Sequence, residues 1–193
     1  SAHLEGADEV KFHNVVIAGK TLSELSKIIP DQNTLVDIVV ADNQVLFKID
    51  RVLFYSRILD GIYPDTSRII PTNYKTELVL DTKKLSESID RAYLLSREEK
   101  TNIVRLQTME HGGIEISSSS SELGKVREEL DVIDFKGEPL KISFNSKYML
   151  DVLKVVESEQ LKIAFTGIMS PIILKPVDDS QSLYVILPYR TTN

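Results

Sequence analysis

The stretch LKISFNSKYMLDVLK, Leu140 to Lys154, decides how this chain is read. Its first five residues alternate apolar and polar, the period of a half-buried strand. Asn145 is a helix-capping residue type, and Ser146 onward continues with helical spacing to about Val156. Lys147 and Lys154 lie seven residues apart, two turns along one helix face, and make a basic stripe there. The same grammar occurs twice more. Lys84 and Arg91 follow the alternating run Thr76 to Leu80, and Lys20 and Lys27 follow Asn14 to Ile17. Apolar residues recur at matching places: Leu22 and Leu25, Leu85 and Ile89, Tyr148 and Val152. The step from Lys20 to Lys84 is 64 residues and that from Lys84 to Lys147 is 63, so the three segments belong to a repeat.

Each repeat continues past its helix. After Thr21 and Glu24, which form a capping-box pattern for a helix Leu22 to Ile29 stopped by Pro30, three strands are expected. They are Asp37 to Ala41, Gln44 to Ile49 and Val52 to Leu59, the first hairpin turning at Asp42-Asn43. The second unit places a helix from about Lys83 to Arg97 behind Asp81 or Thr82. Its strands are Ile103 to Met109, Ile114 to Ser118 and Lys125 to Leu130, with the first turn at His111-Gly112-Gly113. The third adds Leu161 to Phe165, Ile172 to Lys175 and Leu183 to Leu187. Gly61 to Asn73, with two prolines and a glycine, reads as an extended connector and a domain boundary. The fold class is α+β, built from repeated strand-helix-three-strand units. One unit before the connector and two after it imply a full domain of paired repeats preceded by half of another. A lone unit is expected either to pair with a missing twin or to leave apolar surface bare.

Charge gives the stripes their interest. The chain carries 29 Asp plus Glu against 23 Lys plus Arg, a net charge of −6, and an acidic protein ordinarily has no affinity for nucleic acid. Three basic stripes in register against that background point to positive charge gathered on one surface; for any single helix, lysines seven apart are also what a solvated face looks like. The 193 residues are 42% hydrophobic, an ordinary globular composition for one large domain or up to two small ones. The chain has no cysteine, which removes disulfides and thiolate metal sites and fits a reducing compartment. No apolar run approaches bilayer length and no secretory pattern opens the chain, so a cytoplasmic protein with no membrane association is expected.

Enzyme chemistry finds little support. His3, His13 and His111 are scattered, no glycine-rich phosphate loop occurs, and no helix carries metal-ligand spacing, so no catalytic residue, cofactor or metal is expected. Ser117 to Ser121 reads as a solvated strand end rather than a nucleophile or modification site. Asp178-Asp179 reads as a hairpin turn rather than a cation site. A β-rich protein-interaction module whose stripes serve solubility is the generic alternative.

Several stretches resemble the bacterial sliding clamp, the beta subunit of DNA polymerase III: SRILDGIYPDTSRIIP (Ser56 to Pro71), RAYLLSRE (Arg91 to Glu98), SSSELGKVREELD (Ser119 to Asp131), KISFNSKYMLDVL (Lys141 to Leu153) and YVILPYR (Tyr184 to Arg190). The resemblance covers residues 14 to 190. It implies the DNA-clamp fold: three similar domains per protomer, antiparallel sheets outside, helices lining the inner face, and a ring closed by a head-to-tail homodimer. On that pattern residues 1–13 are a lead-in whose Ser1-Ala2 reads as a cloning scar. Residues 14–60 are the second half of the middle domain, 61–73 the interdomain connector and 74–193 the complete C-terminal domain. The first domain and the rest of the middle one would lie before Ser1, so the chain is expected to be truncated.

The implied function is a tether that holds the replicative polymerase on duplex DNA for processive replication. Contacts to encircled DNA must be sequence-blind, which Lys and Arg facing phosphates provide. The expected inward-facing set is Lys20, Lys27, Lys84, Arg91, Lys147 and Lys154. The resemblance also implies a cleft where the polymerase, the clamp loader and repair proteins insert a short glutamine-containing apolar peptide. The matching positions are Pro64, Arg68, Ile69, Asn145, Tyr148, Met169, Ser170, Pro171, Val185, Ile186, Leu187, Pro188, Tyr189 and Arg190. Plainer roles stand beside these: Pro64 as a turn residue, Asn145 as a cap, Val185 to Leu187 as a core strand, Tyr148 as the first core residue of its helix. One cleft wall would come from a loop before Ser1, and the tail from Tyr189 on is longer than in the shortest family members. Ring closure is implied for Leu94 and Leu95 beside an edge strand carrying Lys125, Arg127, Glu128 and Glu129. On a helical wheel Leu94 points away from Leu85, Ile89 and Ala92; drift of the wheel at a helix end would explain it equally.

Overall fold

The computed structural model describes residues 15–30, 34–63, 65 and 68–190. The lead-in 1–13, Asn14, Pro64 and the last three residues lie outside them. Two compact units are present, Ala2–Asp65 and a second that runs from Thr66 to Asn193.

In the first unit helix α1 (Gly19–Ser26) precedes strands β1 (Asp37–Val40), β2 (Gln44–Ile49) and β3 (Val52–Arg57), which form an antiparallel sheet in that order. Alternation along β2 turns Val45, Phe47 and Ile49 inward, where they meet Leu25 of α1. Helix and strands differ from the sequence expectation in their bounds: α1 ends at Ser26 rather than Ile29 and β3 at Arg57 rather than Leu59. The helix starts three residues earlier than expected, with Ala18 as its cap and no side-chain capping bond. Thr21 lies inside the first turn, and its hydroxyl is drawn 3.1 Å from that of Ser56 on β3, so the Thr21–Glu24 box does not form. The strand expected over Asn14 to Ile17 is reduced, in its described part, to a single bridge between Ile17 and Ile58.

The unit from Thr66 onward contains β4 (Thr76–Asp81), α2 (Thr82–Glu98), β5 (Ile103–Thr108), β6 (Gly113–Ser120), β7 (Gly124–Asp131) and β8 (Asp134–Gly137). Then follow β9 (Lys141–Asn145), α3 (Ser146–Leu153), β10 (Gln160–Phe165), β11 (Ile172–Pro176) and β12 (Tyr184–Ile186). They build two sheets, ordered β12-β11-β10-β4-β8 and β7-β6-β5-β9, with every pairing antiparallel. The inner faces of both sheets share one core with α2 and α3, from Leu78, Leu85 and Ile89 to Phe144, Met149 and Ile172. In α2 the buried residues Thr82, Leu85, Ser88, Ile89, Ala92 and Ser96 recur at three- and four-residue spacing, one side of a helix. Asp81 caps α2 by accepting from the Lys84 N–H at 2.8 Å, and Asn145 caps α3 by accepting from the Lys147 N–H at 2.9 Å.

The repeat is visible in three dimensions. Phe144, before α3, bridges Pro188 beyond β12, just as Ile17, before α1, bridges Ile58 beyond β3. Strand β8 was absent from the sequence reading because its residues, DFKG, carry no apolar alternation. It forms because Phe135 pairs with Leu78 and the chain then turns tightly at Gly137. With a φ of 109°, Gly137 packs so close that a Cβ would stand 1.8 Å from the Lys75 carbonyl oxygen.

Candidate functional site

The three helices turn their basic residues outward. Lys20, Lys27, Lys84, Arg91, Lys147 and Lys154 are all exposed, while Leu25, Leu85, Ile89, Met149 and Leu153 point into the cores. Three of the six carry an ion pair. Lys27 meets Glu24 at 2.9 Å, Lys154 meets Asp151 at 3.7 Å, and Arg91 holds Glu128 of β7 through two parallel bonds of 2.6 and 2.7 Å. Lys20, Lys84 and Lys147 have no ion pair among the described residues. The Arg91 bond holds the Glu128 carboxyl below its ordinary range, and Glu128 in turn raises the already high Arg91 value. Glu128 thus faces α2 and is engaged within the unit. Its strand neighbours Lys125, Arg127 and Glu129 are exposed.

An apolar groove of about 730 Å³ opens beside β12, lined by Ile69, Ile70, Leu183, Tyr184, Val185 and Leu187 with Gln181 and Ser182 at its rim. Val185 is 38% and Leu187 68% exposed, whereas Ile186 between them is 3% exposed and belongs to the core. A groove of this size, mostly apolar with a few polar groups, suits a short apolar peptide. A second hollow of about 280 Å³ is lined by Met169 and Tyr189 together with Ile168, Arg105, Lys141, Ile142 and Ser143. The residues expected in one cleft therefore divide between two depressions. Asn145, Tyr148, Ser170, Pro171, Pro188 and Arg190 line neither. Tyr148 is 60% exposed at the start of α3, so it is not the core residue that its position allowed. Met169 is 53% and Tyr189 50% exposed, and the Tyr189 N–H donates to the Ser143 carbonyl at 2.7 Å. Sequence reading missed Ile70, Leu183 and Tyr184. The period-two run Leu183, Val185, Leu187 carried the signal for one of them.

Leu94 is 48% exposed on α2 while Leu85, Ile89 and Ala92 are fully buried. The serine run is not simply solvated: Ser120 and Ser121 hydroxyls and the Ser121 N–H all donate to one oxygen of Glu99, at 2.9, 2.7 and 2.6 Å. These bonds keep the Glu99 carboxyl below its ordinary range. Asp179 accepts from the Gln181 and Ser182 N–H groups at 2.8 and 3.3 Å in a turn, and its carboxyl is likewise lowered, chiefly by Ser182. Among the described residues no group of His, Cys, Asp or Glu could hold a metal ion, and no helix is long and apolar enough to cross a membrane.

The repeated α+β units thus expose basic pairs on their helices, and the larger unit adds an apolar groove of peptide size. The family model for the DNA polymerase III beta subunit, C-terminal domain, matches residues 67–190, and that for its central domain matches residues 3–65. The beta sliding clamp of Bacillus subtilis (strain 168) is 50% identical over 183 residues, covering 95% of this chain and 48% of that protein. That of Staphylococcus aureus (strain Mu50 / ATCC 700699) is 48% identical, covering 97% and 49%. The crystal structure of the DNA polymerase sliding clamp from Bacillus subtilis superposes with a TM-score of 0.87 at 50% identity, covering 93% of this chain and 47% of that one. The Pseudomonas aeruginosa sliding clamp gives 0.86 at 31% identity, covering 93% and 48%. The chain belongs to the DNA polymerase III beta-subunit family and spans about half the length of the relatives it matches.

Proposed function

We propose that this chain supplies part of a ring-shaped sliding clamp that tethers a replicative polymerase to duplex DNA. Its C-terminal unit would recruit polymerase, clamp loader and repair proteins through short peptides. The observation that carries this reading is the alignment of family and surface: in a chain of net charge −6, each of three helices buries its apolar side and exposes a basic pair. Within the larger unit α2 and α3 pack against each other over one core, so their solvent faces adjoin. Unpaired Lys84 and Lys147 then offer loose, salt-sensitive phosphate contacts that permit sliding. Processivity would come from encirclement, with no catalytic group required. The exposed Leu94 supports its assignment, with Leu95 and the edge strand β7, to ring closure by a second copy. A bacterial cytoplasmic setting follows from the same reading.

The test is topological. Joined to the portion of its relatives that this chain does not span and loaded on nicked circular DNA, the protein is expected to stay bound through gel filtration and to be lost when the circle is linearised. Equal loss from circular and linear DNA would refute the tether. Peptide recruitment has its own test: a glutamine-containing apolar peptide should bind this chain, and Leu187→Ala should weaken it roughly tenfold, the loss typical of an anchor residue in an apolar pocket.

A further inference from the structure

The second hollow does not end at Tyr189. It shares Arg105 and Ser143 with a third depression of about 390 Å³ on the solvent face of the β7-β6-β5-β9 sheet, which also contains Ser117, Lys125 and Arg127. Strand register aligns these groups. Ser143, Arg105, Ser117 and Arg127 stand opposite one another on four successive strands, with Ser119 paired to Lys125 beside them. Tyr189 joins the row at the β9 edge through its bond to Ser143. Strands lie about 4.8 Å apart, so Arg105 is about 10 Å and Arg127 about 19 Å from the Tyr189 backbone.

This row is a track of positive charge on an acidic molecule. Arg105 and Arg127 in the row, Lys125 beside it and Lys141 one row away opposite Gln107 are exposed and have no ion pair among the described residues. Of the carboxylates nearby, Glu99 is held by Ser120 and Ser121, while Glu115 and Glu129 stand in the next row with Gln107 and Lys141, so the positive charge is concentrated in the row of Arg105 and Arg127. The side chains of the track stand off the sheet face, so they stay open even if another strand pairs with the edge of β7.

We infer that the track holds acidic residues flanking the partner peptide, extending the apolar groove across the outer sheet face. The inference rests on the peptide-recruitment reading above. An extended chain advances about 3.3 Å per residue, so carboxylates about three and six residues beyond the one seated at Tyr189 would reach Arg105 and Arg127. Arginine with a neighbouring serine hydroxyl is suited to a carboxylate, and charge steering by such a track would quicken association.

The test uses this chain and fluorescent peptides that share one glutamine-containing apolar core. One carries a neutral six-residue tail, and others carry Asp at tail positions three and six on either terminus. The acidic tail on one terminus is expected to bind about five- to tenfold tighter than the neutral tail, the sum of a few exposed ion pairs. That gain should fall in Lys125→Gln/Arg127→Gln and vanish in about 0.5 M salt, where screening is strong, while the neutral peptide binds the variant as well as the parent. Equal binding of neutral and acidic peptides overturns the track and leaves the groove standing. Failure of every peptide to bind overturns both.

Discussion

Arg91 lies on the α2 face that carries Lys84, yet its guanidinium is engaged by Glu128. A paired guanidinium releases fewer counterions from DNA than a free one, so Lys147 and Arg91 should behave differently although both are exposed basic residues. Lys147→Ala is expected to lower the salt dependence of DNA binding, measured in the ring proposed above, by about one ion, whereas Arg91→Ala changes it little. Glu128→Gln should raise it by about one, because it frees Arg91. Equal slopes for Lys147→Ala and Arg91→Ala would refute the distinction. Glu99 gives a pH prediction. Its carboxyl is lowered by Ser121 and Ser120 from an ordinary value near 4.5, so its anchoring of the β6–β7 turn is complete above that value and fades as pH falls through the depressed one. Amide exchange at Ser121, corrected for intrinsic rate, should accelerate below pH 4.5 and already be fast at neutral pH in Glu99→Ala.

Caps and turns carry effects that local sequence underestimates. Asn145 satisfies the first turn of α3 whether or not a peptide is bound, so Asn145→Ala is expected to cost about 1 kcal/mol in thermal unfolding. The prediction for Gly137 is larger. Its φ of 109° and the backbone of Lys75 against it leave no room for a methyl group, and Gly137→Ala should lose roughly 2–4 kcal/mol and detach β8 from β4. A variant that melts with the parent would show that β8 is dispensable. The α1 start shows the converse case. Thr21 and Glu24 have the capping pattern, but bonding of Thr21 to Ser56 and burial of Leu25 set the helix one turn earlier.

The two compact units differ in how well they are stabilised. The larger has a continuous core from Leu78 to Ile186. In the smaller, the buried apolar residues described are Leu25, Val45, Phe47 and Ile49, while Val39, Leu53 and Tyr55 are 55%, 53% and 60% exposed on the sheet. So small a core gives only marginal stability. Hydrogen exchange in denaturant should show residues 37–57 exchanging at lower denaturant than 76–187, and a single common transition would mean that the smaller unit borrows stability from elsewhere.

The amino-acid order alone determined the repeat, the helix faces and most strands, because a buried side imposes periods of 3.6 and 2 that any reader can count. It also determined the cap Asn145 and narrowed that of α2 to Asp81 or Thr82, because capping bonds span only two or three residues. It could not reveal β8, which is held by pairing with β4, nor the engagement of Arg91 by Glu128 across 37 residues. Only the tertiary structure decided that the expected cleft residues divide between two depressions, that Ile186 is core while Val185 and Leu187 are open, and that Arg105 lines up with Arg127. Those facts depend on which strands become neighbours, and register between distant strands is a property of the assembled sheet rather than of any local stretch.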